Sequence, residues 1–580
     1  MADYEFQKVE SDVLVIGSGL AGSMAAISCL QEGCKVTVVN KGKLCWSGST
    51  ATCGGNDIAV CFPEDDRDMW IQAFVESSDY TVNQRWLQIF LDESHEQLKK
   101  LEMLGRKYGC EVFPKKDDGS YWLIHRAINP FKTVICDIYG ALHTFEKTLQ
   151  ESSAHLFERV MITNLLMEEE QVVGAVGFHC RTGKRYVFLA KTVILAAGCC
   201  TYKADVFDVC GEGYKMAYDV GAKMLSFDRG GAIMRPRNVM RGGVLCNSGS
   251  SSMANALGSK MVNRNGIDLK ECMTEDERKL GRAGQDIAIQ REIKNGNGPI
   301  CEDFVHLPIE VKNLIKKLRI ASVKRVQAEY GKDPFEELIP IGDTEQTITP
   351  DQSNRMGGVW IDETGETSVK GLFAVGDSSC PTLSFQHPYN GSDLGWALLS
   401  GGRVGRFVAK VCQNMKITDD FREQASLHAK EIFQKYEGLL EKESGIHPDT
   451  VKTHLLETLI PYDVNHRDEQ ALTFCLEKIE NIIETEIPNM KAEDVRDLRK
   501  AIEADSMAQV AKMILASERY RKESRVGVRR RDYPLMDNDH WKKWIGIQKI
   551  GDKMNLFTED IPEILMNIPA GTVRPLTNRF

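Results

Sequence analysis

The sequence predicts an α/β fold that begins with a parallel sheet and ends in helices, and three observations predict it. An apolar run at residues 12–16 leads through a glycine-rich turn and a helical stretch to a second apolar run, Cys34 to Val39. Short apolar runs that end in small residues recur at 192–198 and 371–377. From residue 413 to about 520 the chain is charged with a helical pattern. A chain of 580 residues is too long for one core, so several domains are expected.

The glycine-rich turn is the clearest motif, and it comprises Gly17, Ser18, Gly19, Leu20, Ala21 and Gly22. In a G-x-G-x-x-G turn the first glycine permits the tight bend and the second lets the backbone approach a pyrophosphate. The third lets the helix pack closely on the strand. The alternative is a glycine turn with a structural role alone. Its position between a strand and a helix favours a Rossmann-like, dinucleotide-binding domain.

Composition and charge exclude several classes of function. A net charge of −10 argues against nucleic acid as a general partner, since phosphate backbones need an excess of Lys and Arg. The polar start MADYEFQKVE has neither the basic nor the apolar part of a secretory signal, and no run approaches a membrane span. We therefore expect a cytoplasmic protein. Its 17 cysteines include no C-x-x-C, so we expect free thiols, no metal site and no cluster or haem in this chain.

The end of the second apolar run departs from the common dinucleotide pattern, where an acidic residue follows. Here the chain has Asn40 and Lys41, then Ser47, Ser49 and Thr50, and then Gly54 and Gly55. This spacing resembles the fumarate reductase and succinate dehydrogenase flavoprotein family, which includes the L-aspartate oxidases and adenylylsulfate reductases. The resemblance implies that these residues bind FAD. Gly48 stands where membrane-bound members tether FAD through a histidine, so the resemblance implies non-covalent FAD.

The same resemblance continues along nearly the whole chain. It implies further FAD contacts from Ala197, Gly198, Glu212, Gly376, Asp377, Ser392 and Asp393. The helix after Asp393 would direct its positive N-terminus at the flavin ring. The implied domains are a discontinuous FAD-binding domain at 1–235 and 350–412, an α+β capping domain at 236–349, a helical domain at 413–520 and a C-terminal segment at 521–580.

Four residues are the candidates for catalysis. The resemblance places the proton-donating arginine of the capping domain at Arg282, for which an exposed helix arginine is the alternative. Arg355 and Tyr389 occupy positions where relatives hold a dicarboxylate with histidine and arginine. Arg235, with two further arginines nearby, could bind a carboxylate, sulfate or phosphate, or lie in a solvated loop. Since the substrate-holding groups differ, we expect a small anion other than fumarate.

These features predict an FAD-dependent oxidoreductase acting at a C=C or CH–CH bond. With one dinucleotide fingerprint only, its electron partner is expected to be a ferredoxin-like, iron–sulfur subunit. The cationic run at 529–531 is a candidate docking surface, or a solvated charge run. Two alternatives stay open. One is an adenylylsulfate reductase-like flavoprotein acting on sulfur, and the other is an electron-transfer subunit without a substrate of its own.

Overall fold

The structure is a computed structural model, and it describes most of the chain. The described residues are 6–52, 57–124, 131–202, 209–228, 233–236, 257–275, 277, 288–289, 291–318, 320–342, 348–351, 357–380, 391–459, 467–525 and 530–573.

The strands of the described residues are β1 (Phe6–Ile16), β2 (Val36–Asn40), β3 (Asp57–Ile58), β4 (Leu123–Ile124), β5 (Thr133–Ile135), β6 (His155–Glu158), β7 (Val160–Glu168), β8 (Gln171–His179), β9 (Arg185–Leu195), β10 (Met224–Leu225), β11 (Ile233–Pro236), β12 (Lys260–Val262), β13 (Ile300–Asp303), β14 (Ile339–Gly342), β15 (Ile348–Asp351), β16 (Gly358–Val359), β17 (Leu372–Ala374), β18 (Met536–Asp537), β19 (Lys543–Ile550), β20 (Lys553–Asp560) and β21 (Thr572–Val573).

The helices are α1 (Leu20–Gln31), α2 (Ser49–Thr52), α3 (Arg67–Ser77), α4 (Gln84–Lys107), α5 (Ile138–Gln150), α6 (Glu212–Asp219), α7 (Leu269–Cys272), α8 (Ile309–Leu318), α9 (Ile320–Tyr330), α10 (Ser392–Val411), α11 (Asp419–Glu441), α12 (Pro448–Leu459), α13 (Glu469–Asn481) and α14 (Val495–Tyr520).

A seven-stranded sheet forms the centre of the molecule. Strands β6, β2, β1, β9 and β17 are parallel neighbours, and β9, β8 and β7 continue as an antiparallel meander. Val13 pairs with Val36 on one side and Thr192 on the other, and all three are buried. Such strands have continuous apolar sequences because both faces of the sheet are covered. The carboxyl ends of β1, β2 and β9 meet at one edge, which positions the site.

Two long helices pack against this sheet without room for side chains between them. A methyl group on Gly401 of α10 would lie 2.3 Å from the carbonyl oxygen of Ala21 in α1, and one on Gly405 would lie 2.5 Å from that of Ala25. Both contacts advance by four residues in the same direction, so α1 and α10 run parallel. Their positive N-termini therefore point toward the same edge of the sheet.

The segment between the two parts of the sheet has a small core of its own. Strands β12, β13 and β14 form an antiparallel sheet, and helices α8 and α9 pack on it through Ile315 and Val326. Ile124 and Ile135, from earlier in the chain, complete this core. The segment is thus mixed α and β, in agreement with the expected fold class.

The C-terminal region differs from the expectation in one respect. A charged helical run is typical of solvated helix faces, but α14 is buried along most of its length, including Glu503 and Glu518. Arg530 of the cationic run is also buried, and its guanidinium donates to Asp532 (2.6 Å) and Glu469 (3.1 Å). Arg530 therefore cannot contribute to a docking surface. Sequence periodicity does not separate a solvated charge from one paired inside the protein.

Several element boundaries also differ from the expected ones. The runs at 186–189 and 192–198 form one continuous strand, β9, which changes partners from β8 to β17 along its length. The hairpin of β19 and β20 pairs with β10, so the C-terminal segment completes a sheet begun some 300 residues earlier. None of the 15 cysteines in the described ranges forms a disulfide. Among the described helices, none is both long and apolar enough to cross a membrane.

Candidate cofactor site

A groove runs along the carboxyl edge of the central sheet. It encloses about 1520 Å³, counted out to its open mouth, and the following residues line it: Ile16, Gly17, Ser18, Gly19, Leu20, Ala21, Val39, Asn40, Lys41, Ser47, Gly48, Ser49, Thr50, Asp57, Val160, Met161, Ile162, Ala196, Ala197, Gly198, Val209, Glu212, Met216, Val375, Gly376, Asp377, Gly391, Asp393, Leu394 and Ala397. Ligands of open α/β sheets bind at this edge, beyond the carboxyl ends of the strands.

The three glycines of the turn have different surroundings. Gly17 has a φ of +106°, and a methyl group there would lie 2.2 Å from the carbonyl oxygen of Ala196. A methyl group on Gly22 would lie 2.1 Å from the carbonyl oxygen of Gly17. On Gly19 it would meet only the Thr50 side chain, whose hydroxyl lies at 3.1 Å. Gly17 and Gly22 are thus required by the fold, whereas Gly19 leaves the backbone accessible from the groove.

A hydrogen-bonded loop closes over the turn. The side-chain oxygen of Asn40 accepts from the backbone N–H of Ser18 (3.0 Å), and its amide donates to Ser47 Oγ (2.7 Å). Thr50 Oγ1 accepts from the N–H of Leu20 at the start of α1 (3.2 Å). An acidic side chain could not make both bonds of Asn40, since an ionised carboxylate has no N–H to donate. The unusual residue at the end of β2 thus fixes the loop to the glycine turn.

The N-terminus of α10 forms the other end of the groove. Gly391 has a φ of +86° and precedes the helix, and its carbonyl oxygen accepts from the N–H of Ala59 (2.9 Å). Asp57, which is 2% exposed, accepts from Thr133 Oγ1 (2.9 Å). Trp396 of α10 donates through Nε1 to the carbonyl oxygen of Gly376 (3.1 Å). These bonds fix the helix start beside the strand ends, where its partial positive charge favours an anionic group.

Lys41 lies at the opposite end, beyond the carboxyl end of β2. Its ammonium donates to Glu212 Oε1 (2.6 Å) and to Glu503 Oε1 (3.0 Å). Ligand atoms of Cys210, Glu212 and Glu503 lie within 4.8 Å of one another, a spacing that could hold a metal ion. Since Lys41 binds both carboxylates, the counter-ion of this group in the structure is an ammonium.

The structure places most of the expected FAD residues around one groove. Those that line it are Gly17, Ser18, Gly19, Leu20, Ala21, Asn40, Lys41, Ser47, Ser49, Thr50, Ala197, Gly198, Glu212, Gly376, Asp377 and Asp393. Gly22 instead packs against Gly17, and Ser392 is buried in the first turn of α10. Gly54 and Gly55 lie outside the described residues.

The expected catalytic residues are not brought together by the described structure. Arg282, Arg355 and Tyr389 lie outside the described residues. Only the backbone of Arg235 is described, in β11, where it pairs with Thr349 of β15. Their roles stay predictions.

Several residues of the groove carry no signal in the sequence that would have predicted them. Asp57 and the start of β7, Val160 to Ile162, line it without belonging to a glycine motif. Glu503 reaches Lys41 from a helix 462 residues later in the chain. No local pattern marks such a residue, because a glutamate in a charged helix is typical of a solvated surface.

The groove meets the requirements of a dinucleotide. A bare backbone at Gly19 and two helix N-termini face one elongated space, which suits the pyrophosphate of FAD. The fold and this site define a dinucleotide-binding α/β protein. The chain belongs to the flavoprotein family described as "FAD binding domain", which matches residues 12–393, and "Fumarate reductase flavoprotein C-term" matches residues 457–565. The protein is therefore an FAD-dependent oxidoreductase.

Similar proteins share this architecture over their full length. A flavoprotein of the fumarate reductase (CoM/CoB) of Methanothermobacter marburgensis is 25% identical over 580 residues, covering 93% of this chain and 97% of the relative. A quinol fumarate reductase of E. coli superposes with a TM-score of 0.78 at 21% identity, covering 96% of this chain and 97% of the other. The adenylylsulfate reductase of Archaeoglobus fulgidus gives 0.72 at 20% identity, covering 97% of each chain.

Proposed function

We propose that this chain is the flavoprotein subunit of an oxidoreductase that acts on a small anionic substrate at a C=C or CH–CH bond. The observation that carries the proposal is the end-to-end likeness to a fumarate reductase chain, in a protein whose groove combines the glycine turn with the N-terminus of α10. Bound FAD would supply the hydride chemistry. The residues described above would bind it, orient it and exclude water from it.

The N-terminus of α10 has an electrostatic role in this proposal. The first backbone N–H groups of the helix and its dipole place partial positive charge at the groove end formed by Gly391 and Asp393. Negative charge that accumulates there during reduction is stabilised by this arrangement. The preorganised helix would thereby favour electron acceptance without any rearrangement of the protein.

Four arginine and tyrosine side chains complete the proposal on the substrate side. Arg282 would donate the proton, while Arg235, Arg355 and Tyr389 would bind the anionic groups of the substrate. Arginine is suited to this because its planar guanidinium binds a carboxylate through two parallel hydrogen bonds. These groups differ from the histidine-containing set expected for fumarate, which favours a related but distinct anion.

The FAD is proposed to be non-covalent. Gly48 lines the groove with a φ of +79°, and glycine has no nucleophile with which to form a bond. Acid precipitation should therefore release all of the yellow flavin into the supernatant. Flavin that remains in the pellet would contradict this part of the proposal.

The electron partner is proposed to be an iron–sulfur subunit. The chain has one dinucleotide fingerprint and no C-x-x-C spacing for a cluster of its own, so electrons must be exchanged with another carrier. Affinity purification from the native organism should recover a cluster-bearing chain. Fast reduction of the isolated flavoprotein by NADH or NADPH would contradict the proposed partner.

The substrate class is tested by turnover with a chemically reduced viologen as the electron donor. A panel of unsaturated mono- and dicarboxylates should include at least one substrate, and adenylylsulfate should not be reduced. Turnover with adenylylsulfate alone would favour the sulfur-acting alternative, and no turnover with any compound would favour an electron-transfer role. Arg282→Gln should lower kcat about 100-fold or more, as expected for loss of a general acid.

A matched variant controls for the loss of an arginine in the same segment. Arg264 is exposed, and its guanidinium donates to the carbonyl oxygen of Gly296 (3.3 Å). Because a long, exposed hydrogen bond contributes little, Arg264→Gln should leave kcat within about twofold of the wild type. Equal losses in both variants would show that Arg282 has no specific role in proton transfer.

A further inference from the structure

A buried ion cluster joins the C-terminal helices to the end of the FAD groove. Lys41 and Glu212 both line the groove, and the Lys41 ammonium donates to Glu212 (2.6 Å) and to Glu503 (3.0 Å). Glu503 lies in the middle of α14 and is 2% exposed. A carboxylate of the C-terminal helices therefore holds a side chain of the cofactor groove directly.

Glu503 is itself held by cations from two helices. Its Oε2 accepts from the ammonium of Lys452 in α12 (2.7 Å), and its Oε1 accepts from Nε of Arg499 in α14 (2.8 Å). Burial would raise the pKa of Glu503, but Lys41, Lys452 and Arg499 outweigh it and hold that pKa well below its ordinary range. The carboxylate is thus ionised and links β2, α12 and α14.

Loss of this carboxylate would have a specific effect at the groove. Three cations would then share the single carboxylate of Glu212, and an uncompensated buried charge is strongly unfavourable. The Lys41 side chain, 16% exposed, already lines the groove and can move into it. Its ammonium would then occupy space that the ligand needs.

We infer that Glu503 is a positioning residue for the cofactor: it fixes Lys41 at the end of the groove and thereby couples FAD binding to the packing of α12 and α14. Such coupling is reciprocal, so bound FAD should stabilise the packing of these two helices. The inference assigns the C-terminal helices a role in cofactor retention, independent of the substrate and of the electron partner.

The first test measures FAD binding to the full-length protein after removal of its flavin. Glu503→Gln should raise the dissociation constant about tenfold or more, measured by quenching of flavin fluorescence. Glu503→Asp keeps the charge and should recover part of the affinity. Glu480→Gln is the matched control, since Glu480 pairs with Lys512 (2.9 Å) in the same helical region, and it should bind FAD like the wild type.

The second test separates positioning from a general effect on folding. If Glu503 acts through Lys41, Glu503→Gln should weaken FAD binding by less than about twofold when Lys41→Met is already present. A full tenfold loss in that background, or unchanged or tighter binding in the single variant, would overturn the inference.

A third measurement covers the case in which Glu503→Gln does not fold. Hydrogen exchange of the wild type should slow in α12 and α14 when FAD is added, and this slowing should be absent in Lys41→Met. Exchange in both helices that is insensitive to FAD in the wild type would contradict the coupling, even if FAD binds as proposed.

Discussion

At Gly19 a single missing side chain separates folding from cofactor binding. The protein itself offers space for a small side chain there, since a methyl group would contact only the Thr50 side chain, with its hydroxyl at 3.1 Å. Gly19→Val should therefore fold but lose FAD, because the side chain projects where the pyrophosphate approaches the backbone. The flavin-to-protein absorbance ratio of the purified variant tests this.

The neighbouring glycine of the motif supplies the contrast. Gly22→Ala places a methyl group 2.1 Å from the carbonyl oxygen of Gly17, so this variant should lose thermal stability as well as FAD. Gly19→Val protein that retains a full complement of flavin would show that the turn has only a structural role.

Glu518 predicts how stability depends on pH. It is fully buried in α14 beside Arg467, and burial raises its pKa to about 7 from an ordinary value of 4.5, despite the opposing effect of Arg467. The folded state then keeps a proton that the unfolded state releases between these values. Stability is therefore expected to fall as pH rises from about 4.5 to about 7.

Glu518→Gln should remove this contribution, because the amide does not titrate. Thermal midpoints measured between about pH 5 and about pH 8 should decline less steeply in the variant than in the wild type. Glu477 is exposed, so Glu477→Gln serves as the control and should keep the wild-type slope. Parallel profiles for wild type and Glu518→Gln would contradict the assignment.

At the scale of elements, the contact between α1 and α10 holds the site together. Gly401→Val would place a side chain against the carbonyl oxygen of Ala21, 2.3 Å from its Cβ, and force the helices apart. We expect a loss of about 3 kcal/mol in stability and lower FAD occupancy, since both helix starts line the groove. Thermal unfolding and flavin content measure the two effects.

A glycine elsewhere in the helices controls for this substitution. Gly438 lies in α11, where a methyl group would meet nothing within 4 Å, and Gly438→Ala should be neutral or stabilise by up to about 1 kcal/mol. Gly401→Val protein with wild-type stability would show that the close approach of α1 and α10 is not required.

For the molecule as a whole, local motifs predict the sheet and most of the groove. The glycine turn, the Gly376–Asp377 turn and the start of α10 could be found because each requires particular residues over a short stretch. Glu503 could not be found this way, because its role depends on a contact with Lys41 across 462 residues. The same holds for buried Arg530, which has the composition of a solvated run but is paired inside the protein.

The central claim is that FAD lies in the groove at the carboxyl edge of the sheet, and the structure of the purified protein with its native flavin tests it most directly. Cryo-electron microscopy or crystallography should show the pyrophosphate against Gly19 and the start of α1. The flavin ring should lie toward Gly391 and the start of α10, with no bond to residue 48. A flavin bound elsewhere, or in this groove with the opposite orientation, would contradict the account.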